Sequence, residues 1–272
     1  MECKPVFRLS TQIPIEEYPP PEVFIEEAAK LVEAARSRGI VLRVMGGMAV
    51  YMRCPDEFKD VWRKLKRLGD RVFTDIDFVS YSRHKNDMID LMRNFGYQTD
   101  SQLIMQAGKN RQIFYGGKVP MVEVFYDRLD MNHVIEYDGT LEADSPTVPL
   151  AELMLQKLQI VKINDKDLKD LAVLFATHDL GKGDPEKIDV DLVNERYMQS
   201  DWSFFYTATT NLGKVVETVK GFDVLTDSDR QRIVDRAGRI LKAVNDSPKT
   251  ARWKLRAKMG PKVKWYNDVD EW

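Results

Sequence analysis

Cysteine and histidine are almost missing from this chain: two Cys and three His in 272 residues. Cys3 and Cys54 cannot build a disulfide framework, so a reducing, cytoplasmic setting is expected. Histidines 84, 133 and 178 are too few and too scattered for a histidine-rich metal centre. No run approaches 18 uncharged apolar residues, and the N-terminus has no apolar signal core, so nothing points to a membrane. Repeats and low-complexity tracts are absent as well. Nor is there an excess of one charge: 41 basic and 43 acidic side chains leave a formal charge of −2 and a pI near 6.0. That balance argues against a protein that coats nucleic acid over its whole surface.

What the chain has is a normal core-forming composition, 43% hydrophobic and 31% charged. Its length exceeds the usual single domain, so two domains are expected. Pro19-Pro20-Pro21 leads into a helix over 22–38 that Gly39 stops. A short strand at 40–45 breaks at Gly46-Gly47, and further helices are expected from Met48 and over 56–68, the latter closed by Gly69-Asp70. The 74–78 strand, a helix at 85–95 and strands at 111–115, 119–126 and 132–137 follow, with Gly116-Gly117 as a hairpin turn. From Leu150 the pattern is helical: 150–162, 166–179, 189–199, 201–219, 226–245 and 248–258. The fold class is therefore α+β, a mixed sheet flanked by helices over 1–145 and an α-helical domain over 146–272.

Thr74-Asp75-Ile76-Asp77-Phe78 carries the chemistry. Acids at i and i+2 of a strand share one face, roughly 6.6 Å apart. At an effective dielectric near 20 they repel by roughly 2.5 kcal/mol, a cost that a divalent cation between them removes. Oxygen donors without nearby Cys or His favour Mg²⁺. Glu123, inside the apolar Val122-Glu123-Val124-Phe125, is the best third carboxylate, with Asp127 as a fallback; the alternative is an edge-strand acid paired to a Lys or Arg. Gly46-Gly47 after a strand either admits a phosphate to backbone N–H groups or is only a tight turn.

These residues resemble the nucleotidyltransferase superfamily with the DNA polymerase β type of catalytic domain. Its pattern is a Gly-Gly or Gly-Ser turn after a strand, an Asp-x-Asp strand and a third acid on a later strand. The closest likeness is to AbiEii-type nucleotidyltransferases, some of which are toxins in toxin–antitoxin pairs. Here Lys157 is followed by Lys166-Asp167-Leu168-Lys169-Asp170, matching that subgroup's lysine and basic-Asp-x-x-Asp cluster. The likeness spans about residues 40–180, with Glu in place of the usual third Asp and no serine in the glycine turn. It implies two Mg²⁺ ions held by Asp75, Asp77 and Glu123, and a nucleoside triphosphate bound by Gly46, Gly47, Arg71, Thr74, Lys157 and Lys166. It also implies transfer of a nucleoside monophosphate to an RNA end, a protein or a small alcohol, and an antitoxin-like partner protein. A non-catalytic nucleotide- or protein-binding module on the same fold is the other reading. From the residues alone, Arg71 could equally cap a turn, and Lys157 could be an exposed lysine. Asp167 and Asp170 either orient Lys157 or Lys166 or form surface salt bridges.

Three other features carry less. Thr177-His178-Asp179 contains a His-Asp pair but lacks the further ligands of a metal phosphohydrolase, so a helix-end histidine is expected. The basic stretch 249–258, with Lys262 and Lys264, is either a phosphate-contacting surface or a solvated helix whose Trp253 and Leu255 touch the core; the acidic 268–271 tail opposes nucleic acid there. Trp202, Phe204, Phe205 and Tyr206 are expected in the core.

Overall fold

The computed structural model describes residues 7–69, 71–107 and 109–269; Cys3, Asp70, Asp270 and Glu271 lie outside them. Helix α1 (Pro21–Ser37) starts on the last of the three prolines and ends before Gly39, whose φ of 71° suits the helix stop. Strand β1 (Leu42–Val44) runs into α2 (Gly46–Arg53), which begins at the glycine pair itself rather than after it. Helix α3 (Asp56–Lys64) is shorter than the sequence pattern suggests, because the chain turns at Lys66 (φ 48°) and carries Arg67 inward.

Strand β2 (Ile76–Ser80) starts one residue after Asp75, then come α4 (Lys85–Asn94), α5 (Ser101–Ala107), β3 (Arg111–Tyr115) and β4 (Met121–Tyr126). Among the described residues the main sheet has the order β1-β2-β4-β3. β2 and β4 are parallel at its centre, while β1 and β3 are antiparallel edges. Both faces of the central pair are apolar apart from the acids, Ser80 and the Tyr126 hydroxyl, as burial from two sides requires. A small ribbon of β5 (Arg128–Asp130) and β6 (Val134–Glu136) follows. Neither α5 nor β5 was legible in the sequence pattern.

Helices α6 (Leu150–Leu158), α7 (Asp165–Thr177), α8 (Val190–Val193), α9 (Trp202–Thr218), α10 (Asp227–Asp246) and α11 (Ala251–Met259) complete the chain. A wider π turn over Asn194–Met198 continues α8 where one regular helix over 189–199 was expected. Helix α10 opens with a capping box of Thr226 and Asp229, within the cluster expected to start it. The architecture is thus the expected α+β class, a mixed sheet flanked by helices and then a helical segment. One buried apolar cluster runs from Phe24 in α1 through the sheet to Val244 in α10. Every residue of α6 is buried, so this helix sits at the centre of the molecule. The segment before it lies along β1: Val44 N–H donates to Pro146 O (2.9 Å) and Val148 N–H to Val44 O (3.0 Å).

Candidate active site

Two neighbouring strands set the acids side by side. In the parallel β2–β4 ladder Asp77 is the register partner of Glu123, and partners on one face of a sheet lie roughly 5 Å apart. Asp75, two residues before Asp77, joins them at the entry to β2. All three line a cavity of about 850 Å³, within the size range of small-molecule sites. Glu123 is therefore on a central strand, not an edge. Asp127 is elsewhere: at φ 64° it makes the turn after β4, and its Oδ1 accepts from Ser82 N–H at 2.8 Å.

Crowding acids in a half-enclosed cleft costs free energy, and the titration of the group reflects it. Burial, then Asp75 and Glu123, push the Asp77 carboxyl well above the usual carboxylate range. Burial also raises Asp75, opposed by a hydrogen bond with Thr74 and by Arg67 and Lys166. Among the described residues Asp77 has no hydrogen bond or ion pair to its carboxylate. Glu123 differs. Its carboxylate is gripped by Arg111 of β3, with Nε 3.0 Å from Oε2 and a terminal nitrogen 2.5 Å from Oε1. The pairing with arginine anticipated as one alternative for Glu123 is thus present, although the acid still faces the cavity. Burial raises the Glu123 carboxyl and Arg111 works against that.

The glycine turn touches the same acids. Gly46 has φ 68°, and a Cβ there would lie 2.8 Å from Asp77 Oδ2, so only glycine fits. Its N–H is not open to a phosphate, because it donates to Gln156 Oε1 at 3.0 Å. The N–H groups of Gly47 and Met48, in the first turn of α2, have no intrahelical acceptor and are the donors left for an anion. A side chain on Gly47 would collide with the Arg67 guanidinium.

Besides Arg111, positive charge comes from two helices and from the loop after α3. Lys157 of α6 is buried, not exposed; its Nζ is 2.8 Å from Asp167 Oδ1 and 2.9 Å from Asp170 Oδ2. Burial works against the ammonium, but Asp170 and Asp167 outweigh it and hold its pKa above the ordinary value. Asp170, fully buried, also accepts from Arg67 Nε at 2.8 and 2.9 Å. The two aspartates therefore hold Lys157, and one of them holds Arg67 as well; they are not surface salt bridges. Lys166, half-buried at the start of α7, has no ion-pair partner among the described residues. Gly46, Gly47, Arg67, Thr74, Asp75, Asp77, Lys157, Lys166 and Asp167 line a second pocket of about 160 Å³ that continues the larger cavity.

Arg71 is the one expected site residue that the structure does not bring there. Its guanidinium donates to Ile13 O at 3.0 Å and lies 4.8 Å over the Tyr18 ring, because the loop after α3 turns it outward and Arg67 inward. Arg67, Arg111 and Gln156 are the residues that sequence reasoning missed. A polar Gln156 next to Lys157 in a helix rich in leucine was a visible signal; so was the Gly116-Gly117 hairpin, whose register places Arg111 diagonally beside Glu123.

The other motifs lie elsewhere. His178 closes α7 and is buried, burial lowering its pKa, while Asp179 pairs with Arg236. Trp253 meets Phe205 edge-on at 5.2 Å, whereas Leu255 is exposed. Phe204 is buried and stacks on His133 at 5.1 Å, with Nε2 of the histidine 2.8 Å from Thr207 Oγ1. Tyr266, Asp268 and Val269 also line the large cavity.

Oxygen donors alone suit a hard divalent cation, and Asp75 offers it two carboxylates together with Asp77, which has no ion-pair partner among the described residues. As they stand, no three Asp, Glu, His or Cys side chains among the described residues are gathered closely enough to hold a metal ion. Glu123 is the one committed to another partner. Among the described residues, no helix is long and apolar enough to cross a membrane. No protein-family model matches this sequence. No curated protein matches it either. Solved structures similar to it include the solution structure of the antibiotic-resistance factor ANT(2'')-Ia, at 12% identity and a TM-score of 0.32, covering 87% of this chain and 92% of that one. Another is a tRNA-processing enzyme in an apo form, at 16% identity and a TM-score of 0.29, covering 88% of this chain and 63% of that one.

Proposed function

We propose that this chain is a metal-dependent nucleotidyltransferase that moves a nucleoside monophosphate from a nucleoside triphosphate to an acceptor hydroxyl, releasing pyrophosphate. One observation carries the reading: a carboxylate pair with no ion-pair partner among the described residues, Asp75 and Asp77, faces a glycine turn and a buried lysine across a single cavity. Bound Mg²⁺ supplies charge neutralisation and activation of the acceptor oxygen. The chain's own groups do the rest. Gly47 and Met48 N–H groups and the ammonium groups of Lys157 and Lys166 receive the triphosphate and offset the charge that builds up as pyrophosphate leaves. Asp167 and Asp170 fix Lys157, so that no rearrangement is needed when charge develops. Thr74 orients Asp75. The acceptor oxygen attacks the α-phosphorus in line, and its proton passes to solvent or to the carboxylate cluster.

Lys157, Lys166, Asp167 and Asp170 are the features that fit the AbiEii-type subgroup, from which an antitoxin-like partner would follow. The acceptor is an RNA end, a protein or a small alcohol. A second reading, nucleotide or protein binding without turnover, is favoured by one observation, the grip of Arg111 on Glu123. Titration with each of the four nucleoside triphosphates, with and without Mg²⁺, and a pyrophosphate-release assay with total RNA or lysate as acceptor separate the two. Transfer requires Mg²⁺ and vanishes in Asp75→Asn and Asp77→Asn while the circular dichroism spectrum is kept. Transfer at the wild-type rate in either variant refutes the metal-site assignment. Mg²⁺-indifferent binding with no pyrophosphate selects the second reading.

A further inference from the structure

The contrast between Asp77 and Glu123 has a structural origin. They are register partners facing one cavity, yet Asp77 has no cation partner among the described residues and Glu123 is held by a two-pronged guanidinium. β4 lies between β2 and β3, so Asp77 approaches Glu123 from one side and Arg111 from the other. The Arg111 and Glu123 side chains retain only 17% and 8% of their exposure, and the guanidinium lies 5.2 Å over the Phe125 ring. Such a pair is geometrically specific and, partly desolvated, stronger than a surface ion pair.

Arginine stays protonated under any condition that keeps the chain folded, so it cannot release Glu123 by losing its proton. It can do so only by moving, and the large cavity that both side chains line gives it room. A divalent cation approaching Glu123 is repelled by the guanidinium charge and competes with it for the same two oxygens. We infer that Arg111 is a positioning residue that latches the third carboxylate: Glu123 joins Asp75 and Asp77 around metal only when the Arg111 fork has left it. The inference rests on the proposed metal-dependent function. The natural competitor for the fork is another two-oxygen anion in the cavity, such as a phosphate group, which couples completion of the metal site to arrival of the nucleotide.

The test counts Mn²⁺ bound to the full chain in the absence of nucleotide, by calorimetric titration and by the loss of the free-ion electron paramagnetic resonance signal. The variants are Arg111→Gln, Arg111→Lys and the double variant Arg111→Gln/Glu123→Gln. Wild type is expected to bind one ion at the aspartates. Arg111→Gln binds a further ion, or binds about tenfold to a hundredfold more tightly, the factor set by losing a charge-assisted competitor. Arg111→Lys, which cannot grip both oxygens, falls between the two and covers the case in which Arg111→Gln does not fold. The double variant returns to wild-type stoichiometry. Equal numbers and affinities in wild type, Arg111→Gln and Arg111→Lys, or a second ion persisting in the double variant, overturn the latch while leaving the metal reading standing. No Mn²⁺ bound by any of the proteins, wild type included, removes the metal reading and the latch together.

Discussion

Replacing Asp170 by asparagine tests the buried charge network at its most connected point. The change is nearly isosteric, so packing is preserved and only the charge is lost. Asp170 is wholly buried and accepts from Arg67 Nε at 2.8 and 2.9 Å and from Lys157 Nζ at 2.9 Å. Lys157 keeps Asp167 at 2.8 Å, so the loss falls mainly on Arg67, which is left with most of its surface covered. Breaking a buried pair by removing one partner costs about 3–5 kcal/mol, and with Lys157 still paired we expect about 3 kcal/mol. Against a typical total of roughly 5–15 kcal/mol this is a large fraction. Urea unfolding followed by circular dichroism should show a lower midpoint at unchanged slope. The double variant Arg67→Met/Asp170→Asn removes the orphaned charge and should recover about 1 kcal/mol or more, a coupling that a mutant cycle isolates. A loss in Asp170→Asn below about 1 kcal/mol would mean that water reaches the network, and the reasoning would be wrong.

The remaining predictions concern the turn, the phosphate side and a buried histidine. Gly46→Ala places a Cβ against Asp77 Oδ2 at a left-handed φ, which should cost about 1–2 kcal/mol in a thermal or urea melt and abolish pyrophosphate release. Lys166→Ala should leave stability within about 0.5 kcal/mol but weaken triphosphate binding about tenfold by calorimetry, because Lys166 has no ion-pair partner among the described residues to lose. Burial lowers the pKa of His133 from 6.5 to about 4. Its neutral form contributes stability that is complete above about pH 6.5 and lost as pH falls through about 4, about 3 kcal/mol in all. His133→Gln should therefore fall short of wild type by an amount that shrinks between about pH 7.5 and pH 4 in urea titrations; a gap independent of pH refutes the assignment.

The sequence pattern placed the acids and the helices well and the arginines badly, for a physical reason. Asp75, Asp77 and Glu123 stand out because a charged residue in an apolar β stretch violates the alternation that burial imposes, and that violation is local. Lys157 and the Asp167–Asp170 pair were visible as a motif, but their burial was not, since an amphipathic and a fully buried helix differ only in what covers them. α6 is covered by α7, which follows it, and by α2, β6, α8 and α9. Arg71 and Arg67 are four residues apart in one loop, and which of them turns inward depends on the left-handed residue Lys66, a conformation that no side-chain pattern announces. β5 went unseen because its three residues pair only with the equally short β6.

The arrangement also explains why the sheet and the helical segment cannot be assigned function separately. The acids come from the sheet, whereas Gln156, which takes the Gly46 N–H, and Lys157 both come from α6. Arg67 leaves the sheet segment to reach Asp170 on α7. The last strand-like stretch before α6 is hydrogen-bonded to β1 through Val44. The glycine turn is thus fixed from both directions, its shape by contact with Asp77 and its N–H by a glutamine 110 positions later in the chain. A phosphate held between the N–H groups of Gly47 and Met48 and the ammonium of Lys157 would bridge the two segments. Its binding energy would therefore be spent on keeping them in register, so substrate affinity and the stability of the join between sheet and helices are linked quantities.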